Sequence, residues 1–201
     1  MTRSAATGAA LFLVTLVLGA QIHRFAPVGD GGVVVRQAEL QRPFVRSGTL
    51  RETVAGTYFT ARVNGVRGAG RVGSAGFSRV PHRTTPGIWL ILDVTLTSRD
   101  EARVIGFGGL RDEDGRLYHA SRRCVQPLVG GREFQPDIPV RGEVVFEIPQ
   151  KVAAQELTAV FARTTFSSPM DSQVEITLPA PSGAATAAWK RATSAVPEEI
   201  R

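Results

Sequence analysis

The chain has 201 residues, 43% hydrophobic and 21% charged, enough to bury the core of one ordinary domain and too few for a multidomain machine. A formal net charge of +6 comes from 24 basic against 18 acidic residues, and 22 of the basic ones are Arg. With one cysteine and three histidines, neither an internal disulfide nor a Cys/His zinc cage is open to it.

Between Arg3 and His23 runs an uncharged segment, Ser4 to Ile22, centred on Leu11-Phe12-Leu13-Val14. As a helix rising about 1.5 Å per residue it is about 28 Å long, close to the roughly 30 Å hydrocarbon layer. Residues 1–24 therefore read as a signal anchor, one transmembrane helix with its amino terminus inside. A cleaved secretory signal is the alternative, with small residues for a peptidase at Val17-Leu18-Gly19-Ala20. Pro27, Gly29, Gly31 and Gly32 mark residues 25–42 as a linker.

From 43 to 179 the sequence predicts an all-β module. Tyr58 to Asn64 alternates, with Phe59, Ala61 and Val63 inward. Gly65 to Thr85, rich in Gly and Arg, is expected as a long loop. Gly87 to Thr97, with Trp89, Ile91, Val94 and Leu96, is expected to be buried on one face or both, as a central strand. Arg103 to Phe107 and Leu117 to Ala120 flank Asp112-Glu113-Asp114-Gly115, whose Asp-Gly pair is a two-residue hairpin signal. Gly142 to Ile148, ended by Pro149, then Leu157 to Ala162 and Val174 to Leu178, complete seven to nine strands, a two-sheet sandwich. Residues 180–201, including the small-residue stretch Ala184 to Ala188, are expected as a flexible tail or a marginal helix that orders on contact.

Three stretches form an ordered series: Gly87-Ile88-Trp89-Leu90-Ile91-Leu92-Asp93-Val94-Thr95-Leu96-Thr97, then Asp112-Glu113-Asp114-Gly115-Arg116-Leu117-Tyr118, then Gly142-Glu143-Val144-Val145-Phe146-Glu147-Ile148-Pro149. In this series the chain resembles the DUF4352 family, exported or membrane-anchored bacterial proteins with an immunoglobulin-like sandwich related to the mycobacterial MPT63 type. The resemblance covers roughly Gly48 to Leu178. It implies an immunoglobulin-like fold and an extracytoplasmic place, and no catalytic residues. Ser98-Arg99-Asp100 stands where the family usually has Asn after the central strand.

Several motifs touch on chemistry. Gly68-Ala69-Gly70-Arg71-Val72-Gly73 satisfies G-x-G-x-x-G but opens no helix, so it lacks the dipole that would hold a pyrophosphate. Asp112, Glu113 and Asp114 start like a calcium loop and lack its far bidentate Glu. Cys124 with His119 and Asp137 or Asp114 is the set from which a nucleophile and base could be drawn, but odd spacing along a strand sets Cys124 and His119 on opposite faces. The expectation is a non-enzymatic module without cofactor or metal. Arg62, Arg67, Arg71, Arg79 and Arg83 gather with no acid between Glu52 and Asp93. This block, with Arg67, Arg71, Arg79 and Arg83 as a partner-binding loop, suits anionic lipid headgroups, an anionic envelope polymer or an acidic protein face better than nucleic acid, since aromatic interleaving is missing. The functional expectation is a single-pass membrane module, its domain outside the cytoplasm, that binds or scaffolds an envelope partner; a secreted ligand-binding protein is the alternative, and an envelope enzyme the third reading.

Overall fold

The structure is a computed structural model that describes residues 42–75, 83–121, 128–164, 166–167 and 169–197. The expected membrane helix at 1–24 and the linker up to 41 lie outside these residues, as do Cys124 and Arg79. Among the described residues no helix is long and apolar enough to cross a membrane.

Two sheets pack face to face. The first has the order β1 (Phe44–Thr49), β11 (Ser172–Leu178), β10 (Leu157–Ala162), β6 (Phe107–Arg111) and β7 (Leu117–His119). The second runs β12 (Thr193–Pro197), β3 (Phe59–Ala75), β4 (Arg83–Ser98), β9 (Val140–Ile148), with β2 (Thr53–Ala55) also on β3. A two-stranded piece pairs β5 (Arg103–Val104) with β8 (Glu133–Phe134). The all-β, two-sheet expectation matches this layout. All pairings are antiparallel except β1 with β11 and β12 with β3, which are parallel.

The core forms where the alternating faces meet. Phe59, Ala61 and Val63 point in, as their period requires, against Ile88, Leu90, Leu92, Val94 and Leu96 of β4 and Phe146, Phe161 and Ile176. Phe59, Phe134, Phe146 and Phe161 are completely enclosed, each such burial contributing roughly 1.5–3 kcal/mol. β4 is central, between β3 and β9. Its opposite face buries Trp89 and Ile91 with Ala69, Val72 and Val145, which is why Gly87 to Thr97 reads as apolar on both sides.

Four expectations are corrected. Gly65 to Thr85 is not a loop at its ends: β3 continues to Ala75 and β4 begins at Arg83, forming a long ribbon. Register shifts at Val63/Gly65 and Ala69/Arg71 absorb the irregular sequence, the second between Ala69 opposite Trp89 and Arg71 opposite Thr84. Pro86, which read as a break, sits inside that irregularity, where Gly87 N–H is held by Thr85 Oγ1 at 3.0 Å. Second, the tail is the helix in contact with the sheet that the sequence left open and not the flexible segment: α1 (Gly183–Arg191) is capped by Ser182, whose Oγ accepts from Ala185 N–H at 3.2 Å, and β12 follows it. Third, Arg103-Val104 belongs to β5 and is separate from the strand beginning at Phe107. Fourth, the β6–β7 hairpin closes with Arg111 opposite Leu117, so its loop spans five residues, Asp112 to Arg116, rather than two. Gly115 takes φ +80°, the left-handed conformation glycine tolerates there.

Candidate functional site

Of the predicted arginines, the ribbon of β3 and β4 carries Arg67, Arg71 and Arg83. Its local glycines explain how it is held. A Cβ on Gly68 would come to 2.5 Å from Trp189 Cδ2, so only glycine lets the indole of α1 lie flat on β3. Gly70 N–H donates to Ala192 O at 2.9 Å, and Arg71 N–H to the same oxygen at 3.3 Å, after which β12 runs alongside β3 from Arg71 to Ala75. Gly68 and Gly70, the first two glycines of the run that resembles a phosphate-binding motif, therefore serve close approach of α1 to the sheet.

Arg67 and Arg71 thus stand on a strand. Arg67 reaches across β4 and donates from Nη1 to Glu143 Oε1 on β9. Arg71 is exposed, opposite Thr84 and Thr193. Arg83 stands opposite Val72 on β4; Arg62, opposite Thr53 and Thr95, is exposed. Arg67 and Arg71 lie on one ribbon with Arg83 rather than in a loop, and Arg67 is engaged by an acid that the sequence reading did not single out.

That acid belongs to a polar ladder on the outer face of the second sheet. Asn64, the extra residue in the first register shift, donates from Nδ2 to Thr95 Oγ1 at 2.9 Å and to Asp93 Oδ1 at 3.3 Å. Arg141 Nε donates to Asp93 Oδ1 at 2.9 Å. The Arg141 hydrogen bond holds the Asp93 carboxyl below the usual carboxylate range, partly opposed by burial; reciprocally, Asp93 raises Arg141. Glu143 Oε2 is buried with no hydrogen-bond partner among the described residues. Glu143 also lines a pocket of about 130 Å³ with His119, Ser121 and Val145. Its outward place in an alternating strand looks like any solvated glutamate, so no sequence signal marks it.

The other candidates separate. Asp112 is buried and locks the hairpin, its Oδ1 accepting from Arg116 N–H at 2.8 Å and its Oδ2 from Tyr118 O–H at 3.2 Å. Burial and then this hydrogen bond push the Tyr118 phenol up. Glu113 and Asp114 are exposed. His119 meets the edge of Phe107, ring centroids 5.5 Å apart, while Asp137 N–H donates to Ser98 O at 2.9 Å beyond the end of β4. Among the described residues no three His, Cys, Asp or Glu side chains are placed to hold a metal ion. At the other end of the sandwich, a cleft of about 190 Å³ opens between Leu50, Val66, Leu90, Leu157, Leu178 and Trp189.

No family model matches the chain, and no curated protein matches it. Two solved structures are similar to it. One is an uncharacterized β-sandwich protein from Clostridium difficile 630, with TM-score 0.43 and 8% identity, over 68% of this chain and 95% of that one. The other is the secreted protein MPT63 of Mycobacterium tuberculosis, with TM-score 0.44 and 11% identity, over 67% of this chain and 96% of that one. At such identities no residue role passes from either to this chain.

Proposed function

We propose that the chain is a membrane-anchored, extracytoplasmic module of the DUF4352 type, with an immunoglobulin-like sandwich that binds or scaffolds an envelope partner and catalyses no reaction. The uncharged run Ser4 to Ile22 supports the anchor. The three motifs quoted above support the family. The observation that carries the binding role is the ribbon: two strands of 17 and 16 residues, backed by α1 and β12, hold the exposed Arg71 on an ordered arm. An ordered arm loses less conformational freedom on capturing a partner than a loose loop would. Its chemistry fits an acidic protein face or an anionic polymer.

Two measurements test this. A reporter active only outside the cytoplasm, fused after Arg201, should be active, and a cytosol-only signal overturns the placement. A photo-crosslinker at Thr84, the exposed cross-strand neighbour of Arg71, should give a discrete adduct in the native envelope that disappears in Arg71→Ser; an adduct pattern indifferent to that change removes the ribbon from the binding role.

A further inference from the structure

The cleft of about 190 Å³ beside Trp189 is an opening into the core. Its floor comes from both sheets. Leu90 of β4 belongs to the second, and Leu157 of β10 and Leu178 of β11, which stand opposite each other in register, belong to the first. All three are buried members of the main core, and Leu50, Val66 and Trp189 pack against that core while staying partly exposed. A molecule seated here touches the same side chains that hold the two sheets together.

The walls are stiff. On one side Pro179-Ala180-Pro181 leads away from β11, its two proline rings fixing the backbone, and Ser182 then caps α1. Trp189 of that helix is seated on Gly68, where a Cβ would come to 2.5 Å from the indole. On the other side Ala153 lies in the turn Val152–Ala154. Lys190, next to Trp189, joins the two sides by donating from Nζ to Gln150 Oε1 at 2.9 Å. Walls held in this way are formed before a ligand arrives, so little ordering opposes binding.

The lining sets the chemistry of what fits. A cavity of about 150 Å³ lined by aliphatic and aromatic side chains stays dry and takes up benzene, so this one holds an apolar group of roughly six carbons. Water is a poor occupant, because an ordered water needs about two to four polar partners and the lining offers mostly Leu, Val, Ala and Pro. Gln155 is half-buried and its backbone N–H is taken by Val152 O at 3.1 Å, so its side-chain amide is the group that a ligand's oxygen meets. The charges on the two walls, Lys151 and Lys190 against the exposed Glu156, are positive on balance and suit a carboxylate head. We propose that this cleft binds a free short-chain carboxylate of about six carbons, its chain between Leu90, Leu157 and Trp189 and its head at Gln155. A lipid acyl chain, half of a roughly 30 Å hydrocarbon layer in length, is too long for the space. The proposal does not depend on the role of the ribbon.

The full chain is held in phosphatidylcholine nanodiscs and titrated with 6-bromohexanoate, whose bromine quenches an indole on contact. The chain has two tryptophans, and Trp89 is enclosed with Ala69, Val72, Ile91 and Val145, so the quenched emission is that of Trp189. Quenching should saturate, be reversed by unbrominated hexanoate, and be absent with 3-bromopropanoate at equal concentration. Ala153→Leu fills the space from the core side, and Ala180→Leu narrows it from an exposed position that the core does not need. Each should weaken the site about tenfold or more, with the circular dichroism of Ala180→Leu unchanged. Gln155→Leu should weaken hexanoate several-fold. Quenching that stays linear in concentration, is matched by 3-bromopropanoate, or is untouched in Ala180→Leu overturns the site. Saturable binding that ignores Gln155→Leu overturns the placement of the carboxylate.

Discussion

Replacing Gly68 by alanine places a methyl group 2.5 Å from Cδ2 and 2.6 Å from Cε3 and Cγ of Trp189. All three atoms belong to a rigid ring at the end of a helix whose C-terminus is pinned through Ala192 to Gly70 and Arg71, so the indole cannot step aside without moving α1. Overpacking of this kind costs about 2 kcal/mol. Trp189→Ala deletes a half-buried indole packed on the main core and also costs about 2 kcal/mol, below the 3–5 of a fully enclosed tryptophan. In the double variant the alanine at 68 has the space the ring vacated, and in a strand it is favoured over glycine by about 0.5 kcal/mol. Gly68→Ala/Trp189→Ala should then be no less stable than Trp189→Ala alone, a coupling of about 2 kcal/mol between residues 121 positions apart. Urea unfolding of the full chain in mild detergent, followed by far-UV circular dichroism, measures all four corners of the cycle; each 2 kcal/mol corresponds to roughly 4–8 °C in Tm for a chain of this size. Additive losses would mean that Trp189 does not sit on Gly68 and that the folded tail is wrongly placed.

Ser182→Ala removes the cap of α1 and should cost about 1 kcal/mol, read by hydrogen exchange as faster exchange in α1 and β12 with β10 and β11 unchanged; uniform loss would contradict a locally held tail. Asp112→Ala leaves Arg116 N–H and Tyr118 O–H without their acceptor and should cost about 1–3 kcal/mol. The phenolate absorbance of Tyr118, one of only two tyrosines, should then titrate at lower pH, and an unmoved titration would remove Asp112 as a contributor to the raised value. Because the Asp93 value is lowered in the fold, its stabilisation is present above the unfolded carboxylate value of about 3.9 and is lost as pH falls through the lower folded one. Asp93→Asn should therefore be less stable than the parent near neutrality, with the difference closing below about pH 4; a constant difference in Tm across that range would show that ionisation of Asp93 does not matter.

Strand identity was legible wherever a side chain could declare its face. Phe59, Ala61 and Val63 announce a half-buried strand, and the unbroken apolar run from Ile88 to Leu92 announces a central one, because a pleated strand gives successive side chains opposite environments. The ribbon was not legible for the same reason in reverse. Gly65, Gly68, Gly70 and Gly73 show no face, and Pro86 reads as a stop until the register shift that contains it is seen. Glu143 was missed as a site residue because its partner, Arg67, is 76 positions away and two strands across.

From its residues alone this chain declares a basic, disulfide-free, all-β module behind an uncharged leading segment, since charge, cysteine count and period-two alternation are local properties. Only the tertiary structure decides that Gly68 of the supposed loop is there to admit Trp189 and that the small-residue tail is a capped helix followed by an added strand. Each of these depends on which distant segments the sheet brings within van der Waals reach, and sequence spacing carries no record of that.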